Sequence, residues 1–405
     1  MSGHLIPVLW LCGPPGVGKS TVAWEIYADL TRAGVPAGYV DIDQVGMCYP
    51  EPACDPGRYV LKADNLAAMV ASFRHSGARC VVVSGVADVA CARLHADRTP
   101  DAAVTLCRLR VAPDELRERL ARRGEHGPMV EEAVRNAEEL DRNDVADVCV
   151  ETSGRSVAEV TRLVREQTGE LFVPVAAPSL PDGDAARALA PAPTVNDAPG
   201  PVLWVCGPRG VGKSTVGWLV SEAVRRTGVT TAFVDLEQIG FSWPVPADDP
   251  GNHRHKARSL AAVWQSFHAS GARCLVVNGA VDRPADVRSY TDALPASTFT
   301  VCRLHAGPEQ LRERVMLRGQ GRSWAAPGDP LRGLPAARLH QVADNAIATA
   351  AALERSALGD LRVETDGRGV DEVAQAILAE TGGWPGLGDL AGGAAEAGRG
   401  ILERD

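Results

Sequence analysis

Residues 13–20 read GPPGVGKS and residues 207–214 read GPRGVGKS. Each octet has glycine at its first, fourth and sixth positions, then lysine and a hydroxyl residue, with an apolar run before it and a helical pattern after it. That spacing suits one chemistry. Glycines let successive backbone N–H groups turn inward around phosphate, and the following helix offers its positive end to the same anion. Gly13, Gly16, Val17 and Gly18 are expected to form such a cradle, with Lys19 reaching the β- and γ-phosphates, Ser20 able to ligate magnesium, and Thr21 beside it. Gly207, Gly210, Val211, Gly212, Lys213, Ser214 and Thr215 are expected to repeat the arrangement. A glycine turn ahead of a helix is the alternative, and two matches in the same context count against it.

Two carboxylates stand near each loop's expected position. Asp41 and Asp43, two residues apart at the end of a strand, point to one side while the chain stays extended. One would hold magnesium and the other would take the proton of an attacking hydroxyl; satisfying the turn amides is the competing reading. The second copy has Asp235 and Glu237, a longer side chain that moves the reactive oxygen. Arg119 and Arg123 are four apart on a helix, as are Arg314 and Arg318, so each pair shares a face. Such a pair reads either as a lid over the transferring phosphoryl group or as surface ion pairs; Arg117, Arg122 and Arg312 read as solvated.

Lysine occurs only four times, against 38 arginines. Two are the loop residues Lys19 and Lys213. The others, Lys62 and Lys256, correspond to each other and each follows a DPG turn. In a chain that otherwise chooses arginine, they are expected to do something a guanidinium does not, such as gripping an anionic or hydroxyl-bearing substrate; a solvated helix residue carried along by duplication is the alternative. The HRHK run at His253–Lys256 invites a metal reading, but the first copy has Tyr59 and Leu61 in place of the histidines and no acidic cluster, so no metal is expected there. The turns at Glu151–Arg155 and Glu364–Arg368 would wrap a nucleotide base or simply start a helix, with Ser153 or Ser156 as cap.

These residues recur because long stretches recur. A shift of 194 residues carries VDIDQVG onto VDLEQIG and SFRHSGARCVVVSG onto SFHASGARCLVVNG; further on, CRLRVAPDELRERLARRG meets CRLHAGPEQLRERVMLRG. The second copy has an insertion around Gln320 to Gly333, a candidate mobile lid carrying Trp324 or a plain loop. The repeat predicts two domains, 1–170 and 201–382, joined by a Pro/Ala-rich linker over 171–200 and followed by a tail over 383–405. Within the first copy, apolar strands are expected over 8–12, 37–41, 80–84, 103–109 and 148–151. Helical patterns fall over 19–33, 62–76, 113–123 and 130–144. Alternating strands and helices predict an α/β fold, two tandem domains each with a parallel sheet covered by helices on both faces.

The ten cysteines show no CxxC spacing, and six lie in matching apolar stretches, so buried reduced thiols are expected rather than bridges or zinc. A formal charge of -9 argues against a nucleic-acid partner. No apolar run is long enough for a membrane span, and the N-terminus has no basic leader, so a cytoplasmic protein acting on small molecules is expected.

Taken together, GPPGVGKST, the D-x-D after the second strand, RERLARRG and ETSGR resemble small P-loop kinases of the shikimate kinase, gluconate kinase and adenylylsulfate kinase group, over most of each half. The resemblance implies a nucleoside monophosphate kinase-like fold in each half, with ATP and Mg2+ as cofactors. It implies that Asp41 helps to hold magnesium, that Asp43 contacts the substrate hydroxyl, and that Arg119 and Arg123 are lid arginines. The segment SGVAD at Ser84, NGAVD at Asn278 in the second copy, departs from the glycine triplet of shikimate kinases. The expected activity is γ-phosphoryl transfer to a hydroxyl of a small metabolite, with at least the first domain active. The competing expectation is a regulatory or interaction protein whose domains bind ATP without transfer.

Overall fold

The computed structural model describes residues 5–86, 94–95, 97–143, 146–169, 197–281, 283–321 and 331–386. Most of the expected linker, residues 387–405 of the expected tail, and the Trp324 segment lie outside the described residues. Described elements run β1 (Ile6–Cys12), α1 (Lys19–Arg32), β2 (Ala37–Asp41), β3 (Cys48–Tyr49), α2 (Tyr59–His75), β4 (Cys80–Ser84), β5 (Ala102–Arg110), α3 (Pro113–Ala121), α4 (Pro128–Arg142), β6 (Val148–Glu151) and α5 (Val157–Gln167). They continue with β7 (Gly200–Cys206), α6 (Lys213–Arg225), β8 (Thr231–Asp235), β9 (Ser242–Trp243), α7 (His253–Ala269), β10 (Cys274–Asn278), α8 (Pro284–Ala293), β11 (Ser297–His305), α9 (Pro308–Gly319), α10 (Ala336–Arg355), β12 (Leu361–Glu364) and α11 (Val370–Glu380).

By contacts the chain divides into two compact units, and neither is a continuous stretch. The first comprises Met1–Gly46, Gly57–Thr194 and Gln238–Val263; the second comprises Met47–Pro56, Val195–Glu237 and Trp264–Asp405. In the first unit the strand order is β6-β5-β1-β4-β2-β9. Five strands are parallel, with Val8 opposite both Val81 and Val104. The central runs VLWLC and CVVV are apolar throughout because both faces of the sheet are covered. On one face Leu9, Leu11, Val82 and Leu109 meet Val22, Ile26 and Leu30 of α1 and Val160 and Val164 of α5. On the other, α2 lies close: a Cβ on Gly38 would sit 2.5 Å from the Phe73 ring.

The second unit has the order β12-β11-β7-β10-β8-β3. Leu203, Val205, Val276 and Leu304 face Val216, Val220 and Val224 of α6 in its core.

The edges correct the expectation of purely parallel sheets. β9 runs antiparallel to β2, pairing Ala37 with Trp243, and β3 runs antiparallel to β8, pairing Tyr49 with Thr231. Each sheet is therefore mixed, and each takes its edge strand from the other sequence repeat. A cut at the linker alone does not describe the units. Two-residue strands carry no alternation, so nothing in the sequence marks them. Aromatic side chains seal the first of these edges, with Phe241 against Trp24 at 4.9 Å and against Tyr39 at 5.6 Å between ring centres.

The segment Gln238–Val263 also brings His255 of α7 into the first unit. Its Nδ1 lies 2.8 Å from Ser76 Oγ and its ring stacks on Phe73 at 5.1 Å. Burial, helped by the charges of Arg258 and Lys256, pushes its pKa down to about 3. An unfolded histidine titrates near pH ~6.5. Between these values the unfolded chain binds the extra proton, so this contribution to stability is complete above the unfolded pKa and is lost as pH falls toward the folded one. Thermal melts at pH 7.5 and pH 5 are expected to show a falling midpoint, at up to about 1.4 kcal/mol per pH unit from this group. His255→Gln should flatten that slope; an unchanged slope would show that other groups set the acid sensitivity.

Candidate functional site

The first loop leaves β1 at Cys12 and enters α1 at Lys19. Two glycines are indispensable for different reasons. A Cβ on Gly13, at φ +142, would lie 2.5 Å from the Leu109 carbonyl oxygen, and Gly18 caps α1 in the left-handed region at φ 106. Gly16 and Val17 lie between them. Lys19 is buried, and its Nζ donates to the Pro14 carbonyl at 2.9 Å. Burial lowers its pKa; the charges of Asp43 and Asp41 oppose that, and Arg123 adds to it. Thr21, in the first turn of α1, is exposed. The adjacent Cys12 thiol is pushed up to about 12 by burial and is unreactive.

Beside the loop the structure brings the expected carboxylates together. Ser20 Oγ donates to Asp41 Oδ2 at 3.0 Å, and the Asp43 backbone N–H donates to Asp41 Oδ1 at 3.1 Å. Burial and the neighbouring charge of Asp43 raise the pKa of Asp41, against the hydrogen bonds it accepts. Asp43 Oδ1 accepts from Lys62 Nζ at 2.9 Å, and its Oδ2 from the Val86 N–H at 3.4 Å.

Sequence reasoning missed two residues here. Ser84, at the end of β4, donates to Asp41 Oδ2 at 3.1 Å. With its proton spent there, Ser84 accepts from the Tyr39 hydroxyl at 3.0 Å. The only signal was a hydroxyl closing an apolar strand.

The second loop repeats the backbone. Gly207 has φ +140, with the Leu304 carbonyl oxygen 2.7 Å from a Cβ, and Gly212 caps α6 at φ 105. Gly210 and Val211 lie between them, and Thr215 follows on α6. Lys213 Nζ donates to the carbonyls of Gly207 and Pro208, both at 3.0 Å; Ser214 Oγ donates to Asp235 Oδ2 at 2.9 Å. Around Asp235 the side chains differ from those around Asp41. Phe233 stands for Tyr39, and Asn278 stands for Ser84, with its Nδ2 3.5 Å from the Ser214 carbonyl. Gly217 replaces Ala23, because a Cβ there would lie 2.1 Å from Asn278 Oδ1. Glu237 is exposed and its N–H donates to Asp235 Oδ1 at 3.0 Å. Lys256 is buried in the first turn of α7 and belongs by its contacts to the first unit, whereas Asp235 and Glu237 belong to the second.

The arginine pairs divide. Arg119 is held within the fold: Nη1 donates to the Val17 carbonyl at 2.9 Å and to Thr152 Oγ1 at 3.1 Å, and Nη2 to Glu115 at 2.7 Å. Arg314 repeats this on Val211 and Thr365. Both buttress their loops from behind and are not poised as lids. Arg123, one turn on, is exposed with its charge felt at Lys19, and Arg318 closes α9. Arg117, Arg122 and Arg312 form exposed ion pairs. Ser156 caps α5 through a reciprocal bond with Glu159, which accounts for its place in the turn after β6. Among the described residues, no three His, Cys, Asp or Glu side chains are placed to hold a metal ion, and no helix is long and apolar enough to cross a membrane.

Arg119→Ala should loosen the first loop. Losing charged hydrogen bonds of about 1.5–3 kcal/mol each is expected to weaken ATP binding at that loop about tenfold or more by calorimetry. An unchanged affinity would show that the loop holds its shape unaided.

Residues 9–142 match the sequence profile of a family described as an AAA domain. No curated protein matches the chain. Among solved structures, the chain is similar to a tunicamycin resistance protein from Deinococcus radiodurans, at 21% identity over 40% of this chain and 96% of that one, with a TM-score of 0.31. It is similar to a gluconokinase from Sinorhizobium meliloti 1021 at 18% identity, over 42% and 95% of the two chains, TM-score 0.29. It is also similar to a shikimate kinase from Bacteroides thetaiotaomicron at 16% identity, over 40% and 98%, TM-score 0.29.

Proposed function

We propose that the chain is an ATP- and Mg2+-dependent kinase that transfers the γ-phosphoryl group to a hydroxyl of a small metabolite, with at least the first unit active. The observation that carries this reading is the convergence of a loop lysine, a loop hydroxyl and two carboxylates: Ser20 meets Asp41, and Asp43 stands next to it. Ser20 and Asp41 offer hard oxygen donors of the kind magnesium takes, and would hold it; when bound, it neutralises charge on the β- and γ-phosphates. Lys19 and the loop amides hold the triphosphate. The acceptor oxygen forms a bond to the γ-phosphorus as the bridging bond to ADP breaks, and the hydroxyl proton passes to Asp43. Arg123 is exposed on the loop side and would draw toward the phosphates.

In this reading the two units descend from one duplicated domain, so Ser214 and Asp235 would hold magnesium in the second, Lys213 would serve its phosphates as Lys19 does, Arg314 would buttress its loop as Arg119 does, and Arg318 would match Arg123. A second role, nucleotide binding without transfer, is favoured for that unit by its changed surroundings: Phe233, Asn278 and Glu237 replace Tyr39, Ser84 and Asp43. The test is ADP release from the full chain across a panel of hydroxylated metabolites, with Lys19 and Lys213 mutated separately. Release stimulated by no acceptor would reject the kinase reading.

A further inference from the structure

Three side chains from α2 and the residue before it reach down onto the turn that follows β2. Arg58 Nη1 donates to the Gly46 carbonyl at 2.9 Å, Lys62 Nζ to Asp43 Oδ1 at 2.9 Å, and Asn65 Nδ2 to the Val45 carbonyl at 2.6 Å. Positions 58, 62 and 65 have the spacing of one helix face. The turn itself, a 3-10 turn over Gln44–Gly46, is shaped to receive them. Gly46 is buried, and a Cβ there would lie 2.6 Å from Lys62 Cγ and 2.8 Å from Lys62 Cε. Glycine at 46 therefore leaves a slot in which an unbranched stem lies across the turn and delivers a compact ammonium to the carboxylate. A guanidinium is broader and would not reach Asp43 along the same path. The Lys62 side chain is only 13% exposed, against 41% for Asp43. The cation is thus packed in behind the carboxylate, which keeps its open side toward solvent.

We propose that Lys62 is a positioning residue that holds Asp43 for proton transfer, and is not a substrate grip. The ammonium fixes Oδ1, and Oδ2, which accepts from the Val86 N–H at 3.4 Å, receives the acceptor's proton. Lys62 neither gains nor loses a proton; the O–H bond of the acceptor breaks, its oxygen bonds phosphorus, and ADP leaves. This rests on the kinase reading of Asp43. It explains why the lysine persists among 38 arginines in terms of shape: the slot over Gly46 admits one kind of cation.

The experiment uses the full chain with Lys213→Ala, so that only the first loop turns over, and measures ADP release from MgATP with water as the sole acceptor. A substrate grip is irrelevant to water; a positioning residue is not. Lys62→Met keeps the stem and should lower kcat by about tenfold to a hundredfold with KM for MgATP unchanged. Asp43→Asn should lose at least as much, and Lys62→Met added to Asp43→Asn should cost nothing more. Gly46→Ala, which displaces the lysine stem while leaving both reacting side chains intact, should reproduce the Lys62→Met loss. Release at the parent rate in Lys62→Met, or losses that multiply in the double variant, would overturn the proposal alone. A parent chain whose ADP release is stimulated neither by water nor by any hydroxylated metabolite of the panel would overturn the kinase reading with it.

Discussion

Lys19→Ala is expected to reduce ATP turnover at the first loop by about 10²–10³-fold, the size of effect seen when a preorganised charge donor is removed from a transition state. Its ammonium is buried at the mouth of the loop and already aimed along it, bonded to the Pro14 carbonyl. Lys19→Arg should not rescue the loss, because a planar guanidinium cannot occupy the narrow space a single ammonium fills. Lys213→Ala separates the two loops in the same assay. If the first unit carries the chemistry, Lys19→Ala removes most acceptor-stimulated ADP release while Lys213→Ala leaves much of it. Equal losses from both would show that both units turn over, and undiminished release in Lys19→Ala would reject the first loop as the reacting site.

Asp43→Asn is expected to lower kcat by about 10²–10⁴-fold, the range for loss of a general base, while ATP affinity stays within a few-fold. The distinction from Asp41 follows from geometry. Asp41 is bonded to both Ser20 and Ser84; Asp43 is 41% exposed and free of the loop serine. Asp41→Asn should therefore raise the magnesium concentration needed for half-maximal activity, and Asp43→Asn should not. Steady-state kinetics over a magnesium titration distinguishes them. A shared magnesium effect would place both carboxylates on the metal.

The loops, the strands around them and the Ser20–Asp41–Asp43 grouping were legible because each follows from a local rule. Glycine spacing, an apolar run and an i, i+2 pair at a strand end need no knowledge of distant residues. Ser84 and Tyr39 were hidden because a hydroxyl at a strand end looks like any other until the neighbouring strand is in place. The pairing of Asn278 with Gly217 is likewise a fact of clearance between β10 and α6. For Arg119 the four-residue spacing gave the right helix face, but spacing cannot say what that face meets; it meets Val17 and Thr152. Lys62 was singled out by scarcity and by its match with Lys256 after a DPG turn, and only the slot over Gly46 shows what its unbranched shape is for.

Since β9 closes the sheet beside β2 although it is written in the other sequence repeat, severing the chain midway would not yield two self-sufficient proteins. Each fragment would retain a strand for which it has no ladder and a ladder lacking its outermost rung. A single repeat produced by itself would tend to satisfy that vacancy with a second molecule of its own kind. The two sequence repeats are therefore tied to one another by backbone hydrogen bonds, whatever the two glycine-rich loops do individually.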